Sequence, residues 1–82
     1  MANVTYFVAL PFGLDDAGNL VPGQAEETQQ PSSAIRRAEG MVRTGAAGAV
    51  AFSRTGDPNI GEFEPATILQ TFGLVPDDLS EL

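Results

Sequence analysis

Eighty-two residues with eleven acidic side chains against four arginines, a formal charge of −7, make one small acidic domain with one core. The chain has no cysteine, histidine or lysine, which excludes disulfides, thiolate metal centres and cysteine nucleophiles and removes the histidine base of a serine triad, the usual zinc or haem ligand, and Schiff-base chemistry. Four arginines are too few to wrap nucleic acid directly, since binding by counterion release needs clustered positive charge.

The first predicted element is a strand over Val4–Leu10 (VTYFVAL), rich in β-branched and aromatic residues. Val4, Tyr6, Val8 and Leu10 alternate with Thr5, Phe7 and Ala9, and both sets are largely apolar, as in a strand covered on two faces. Pro11 has no N–H to donate and is expected to end the ladder. Gly13–Gly23 reads as a connection, with turn formers at Asp15, Asp16, Gly18 and Asn19 and again at Pro22–Gly23. Gln24–Gln29 is expected as a polar edge strand, its glutamate pair guarding it from another chain.

A helix is predicted from an N-cap at Ser32 or Ser33 to about Thr44. Ala34, Ile35, Ala38, Met41 and Val42 form its apolar face, Arg36, Glu39 and Arg43 line another, and Gly45 closes it. Gly40 inside the helix costs about 1 kcal/mol relative to alanine; it is either tolerated composition or the mark of a closely approaching backbone. The small and apolar run Ala46–Phe52 then meets the polar segment Ser53–Asn59, which predicts a buried strand over Ala49–Ser53 and a turn through Thr55–Asn59. A short strand over Ile60–Phe63 follows. Pro65 suits the first position of a second helix, Ala66–Phe72, closed by Gly73, and Pro76–Leu79 can start a last helical turn.

The order predicts an α+β fold: a small three- or four-stranded sheet, antiparallel or mixed, with one main helix packed on a face and a short second helix. Residues 1–82 read as one domain with a flexible tail at 76–82. No positive segment precedes Arg36 and no apolar run is long enough to cross a bilayer, so the expected location is cytoplasmic and no membrane partner is expected.

The leading candidate site is Ser53, Arg54, Thr55, Asp57 and Asn59, with Arg36 and Arg43 as further contacts. Arg54 offers five donors in a fixed fork suited to carboxylate or phosphate. Ser53 and Thr55 add hydroxyls, and Gly56 allows a turn that exposes backbone N–H groups. This set suits an anionic group or a peptide terminus; the opposing reading is a turn that satisfies itself, with Asp57 accepting its hydrogen bonds. Asp57–Glu62 departs from a calcium loop, because glycine falls one place early and the fifth-position ligand is missing. No catalytic residue, metal ligand or cofactor is assigned.

Four segments, YFVALPF at Tyr6–Phe12, AIRRAEGM at Ala34–Met41, GAVAFSRTGDPNIGEF at Gly48–Phe63 and ILQTFGLVPDDL at Ile68–Leu79, span most of the chain. In these the chain resembles short, uncharacterised proteins of GC-rich proteobacteria, a resemblance that brings no activity or residue roles with it. The sequence therefore points to a small acidic accessory or protein-interaction module, its partner another protein or a second copy of itself. The alternatives are an inhibitor that mimics nucleic-acid charge and, less favoured for want of histidine, lysine and cysteine, a carboxylate-dependent hydrolase.

Overall fold

The computed structural model describes residues 3–77 and 79. Its frame is an antiparallel pair of long strands, β1 (Val4–Leu14) and β4 (Gly48–Asp57), in register from Val4 opposite Gly56 to Phe12 opposite Gly48. Beyond β1 lie two short strands end to end, β2 (Leu20–Pro22) and β3 (Glu26–Thr28); beyond β4 lie β5 (Glu62–Phe63) and β6 (Thr67–Gly73). Every pairing is antiparallel, which removes the mixed-sheet alternative.

β1 runs through Pro11, which was expected to end it. The reason lies in strand geometry: within an antiparallel strand the N–H and C=O of one residue point to the same side. The Phe12 carbonyl accepts from the Ala47 N–H toward β4, so the polar groups of Pro11 point the other way. There its carbonyl accepts from the Gly23 N–H at 2.8 Å, in the gap between β2 and β3, and no ladder bond requires the missing proline N–H.

The helix α1 (Pro31–Arg43) starts two or three residues earlier than the serines suggested, with Gln30 as N-cap and Pro31 in the first turn. Proline's fixed φ suits that place, and an absent N–H costs nothing where no intrahelical acceptor exists. At the other end the Gly45 N–H donates to the Val42 carbonyl and the Ala46 N–H to the Met41 carbonyl, a Schellman closure made possible by a positive φ at Gly45.

α1 lies on one face of the sheet. Ala34 and Ala38 meet Ala9, Ala49 and Ala51, all fully buried, and the small side chains let helix and sheet approach closely. Phe7, Ile35, Met41, Leu69 and Phe72 close the rim of this layer. The Arg37–Glu26 ion pair, 3.3 Å, ties the helix to β3.

One expected element is replaced. Ala66–Phe72, read as a second helix, is the strand β6, paired with β4 and carrying a bulge at Leu69. Ile68, Leu69 and Phe72 fit a helical stripe, but Thr67, Ile68, Thr71 and Phe72 also favour a strand, and the open edge of β4 decides between them. Gly73 still closes the element, turning the chain with a φ of 65°. The chain then crosses β4 at Gly48, where any Cβ would lie 1.7 Å from the Leu74 carbonyl oxygen. Val75 and Leu79 thereby cover Phe12, Val50 and Phe52 at one end of the second face. Of the tail expected at 76–82, Asp78 and residues 80–82 lie outside the described residues, as does part of the helical turn expected there.

Candidate functional site

Alternation along β1 and β4 sends Tyr6, Val8, Phe52 and Arg54 to the face opposite α1. The C-terminal segment covers only one end of that face. At the other end Tyr6, Val8, Phe52 and Arg54, with Glu27 from β3 and Phe63 from β5, line an open groove of about 430 Å³. Its floor is apolar and mostly aromatic. Phe63 is seated by Gly56: a Cβ on Gly56 would come within 2.5 Å of the Phe63 ring. The rings of Tyr6 and Phe63 stand 6.1 Å apart at 45°, and the Arg54 guanidinium lies 5.8 Å from the centre of the Phe63 ring.

Arg54 is the cationic group of this surface, which it shares with Tyr6 and Glu27. Among the described residues it has no ion-pair partner, although Glu27 lines the same groove. Its Nε is buried and makes no hydrogen bond among the described residues. A buried donor left unpaired costs about 1–3 kcal/mol, partly offset by the aromatic face of Phe63. A carboxylate would meet the guanidinium through two parallel hydrogen bonds, and the aromatic floor would hold an apolar body beside it.

The residues singled out in the sequence are not gathered in one place. β4 continues to Asp57, so Ser53–Asp57 is strand rather than turn, and successive side chains leave on opposite faces. Ser53 and Thr55 lie on the α1 face, where Thr55 Oγ1 and Thr5 Oγ1 share a hydrogen bond of 2.9 Å. Asp57 is engaged in its own turn: its Oδ1 accepts from the Asn59 N–H at 2.9 Å, and its carbonyl accepts from Ile60 and Gly61. Asn59 is exposed on that turn. Arg36 and Arg43 stand on α1, across the sheet from Arg54. Arg36 lines a shallow depression of about 250 Å³ with Ser33 and Arg37, and Arg43 pairs with Glu39 at 3.7 Å.

Arg54 alone of that set faces the groove. Its neighbours there, Tyr6, Val8, Glu27, Phe52 and Phe63, come from four strands. The shared face of Tyr6 and Val8 was readable from alternation; the pairing of Tyr6 with Arg54 depends on strand register. Among the described residues no three acidic side chains converge as a metal site would require, and no helix is long and apolar enough to cross a membrane.

Compared with protein-family models, curated proteins and solved structures, the chain matches none.

Proposed function

We propose that this protein is a small binding module that recognises another protein through the open face of its sheet, Arg54 receiving a carboxylate of the partner while Tyr6, Phe52 and Phe63 hold the apolar residues beside it. One observation carries the reading: a guanidinium with no ion-pair partner among the described residues, one nitrogen buried and unbonded, set among aromatic rings on an uncovered surface. A merely structural arginine in a chain with eleven acidic side chains would be expected to find a carboxylate.

The net charge of −7 refines the partner's chemistry. A free small anion is repelled at long range, so the carboxylate must arrive on an apolar body whose burial supplies most of the affinity. An acidic residue flanked by large apolar side chains, or an apolar chain terminus, meets that requirement.

N-acetylphenylalaninate and its uncharged amide share the apolar body and differ in the carboxylate. Titrated by NMR, the carboxylate is expected to bind about tenfold more tightly than the amide, the worth of one charge-assisted hydrogen bond, and Arg54→Met is expected to abolish the difference. Equal binding of the two probes by the parent protein would overturn the assignment of Arg54.

A further inference from the structure

The two edges of the sheet are built differently. The β2–β3 edge is split into two strands of three residues, carries Glu26, Glu27 and Pro22, and is braced by Arg37. Short, charged and proline-bearing edges resist pairing with another chain. β6, at the opposite edge, runs for seven residues (TILQTFG) with no charge and no proline. It pairs with β4 on one side, and among the described residues nothing lies on the other. Its bulge at Leu69 leaves Gln70–Gly73 in regular register with β4.

We infer that β6 pairs with β6 of a second copy, antiparallel about a two-fold axis at Thr71, to make one continuous sheet across a dimer. Self-complementarity within the strand points to a second copy. In this register Thr71 faces Thr71 of the partner subunit, a cross-strand threonine pair like that of Thr5 and Thr55 in this sheet. Gln70 and Phe72 share the α1 face, opposite Ala51 and Ala49, so each lies against the other residue of the partner subunit without a clash of faces. Ile68 and Leu74, exposed by 40% and 58%, stand three residues before and three after Thr71. The two-fold brings the Ile68 end of one copy toward the Gly73 end of its partner, twice, as an isologous interface requires. The join leaves the acidic β3 edges at the far ends of the assembly, where two copies of charge −7 repel least.

The chain lacks cysteine, so single cysteines report the geometry directly. Residues facing each other across an antiparallel pair have Cα atoms about 4.5–5.5 Å apart, within disulfide range. Thr71→Cys is expected to give a covalent dimer under mild oxidation, while Val21→Cys, on the β2 edge, stays monomeric. Sedimentation of the parent protein is expected to show a concentration-dependent dimer, lost in Thr71→Arg with the circular dichroism spectrum unchanged. A parent that stays monomeric at several hundred micromolar, or equal cross-linking at Thr71 and Val21, would overturn the inference. If Thr71→Arg fails to fold, the cysteine pair and the parent's sedimentation still decide.

Discussion

At the scale of single residues, the fold depends on places where a side chain is missing or is satisfied locally. Gly48 and Gly56 accept other parts of the chain where a methyl group would stand: the Leu74 carbonyl at Gly48, and the Glu62 carbonyl together with the Phe63 ring at Gly56. Gly48→Ala is expected to destabilise the protein by about 1–3 kcal/mol or more in a denaturant melt, since the obstacle is backbone. Gly56→Ala meets the backbone of Glu62 and Phe63 as well as the Phe63 ring, and is expected both to destabilise the protein and, by displacing Phe63, to weaken the preference of the groove for a carboxylate-bearing probe. Asp15 is a local case: its Oδ1 accepts the Asn19 N–H at 2.8 Å and the Ala17 N–H at 2.9 Å. These bonds, that from Asn19 foremost, hold its carboxyl below the usual aspartate value. With the folded value depressed, its contribution to stability is complete above the unfolded value and is lost as pH falls through the folded one. A carbon-13 titration should place the Asp15 midpoint below that of a model aspartate, and Gly18→Val, which strains the turn at a φ of 84°, should return it toward normal. Arg54 is the opposite case, held at a cost rather than satisfied. Arg54→Met is expected to leave stability within about 1 kcal/mol of the parent, or to raise it, because the methionine removes an unpaired buried donor.

At the scale of elements, the central strand pair and the main helix were legible because their signals are local. Val4–Leu10 alternates with apolar residues on both sides, and Ala34, Ile35, Ala38, Met41 and Val42 repeat at helical spacing. The Gln24–Gln29 edge was readable from its glutamates. The second helix was misread because Pro65 and the Ile68, Leu69, Phe72 stripe fit both periods over so short a segment, and only the vacant edge of β4 distinguishes them. The extra residue at the bulge, Leu69, lies on the α1 face with Phe72, three positions on, a spacing that a helix also gives, while Ile68 pairs with Phe52 on the other face. Gly40, left open between tolerated composition and close packing, has nothing within 4 Å of where its Cβ would stand. Gly40→Ala is therefore expected to stabilise the protein by about 1 kcal/mol, read from the denaturation midpoint.

At the scale of the whole molecule, the sheet divides the surface into two faces with different roles. One is sealed by α1 over a layer of alanines; the other is covered at one end by the segment after Gly73 and left open where Arg54 lies. Arg54 was legible as a candidate from its type and setting. Its partners were not, because Tyr6, Glu27 and Phe63 reach it only through pairings distant in sequence. The same long-range pairing sends Ser53 and Thr55 to the α1 face and leaves Asp57 and Asn59 in a separate turn. Net charge sets a further expectation. Added salt screens the repulsion between an acidic partner and a protein of charge −7, while the contact pair at Arg54 is short-ranged. Affinity for an acidic partner should hold or rise with salt, whereas a mimic of nucleic-acid charge would lose its basic partner.

The most direct measurement is the nitrogen-15 signal of the Arg54 Nε–H during titration with N-acetylphenylalaninate. Saturating shifts are expected at that N–H and at Tyr6 and Phe63, weaker with the amide probe. Shifts confined to the α1 face, or an Arg54 signal that does not move, would contradict the account.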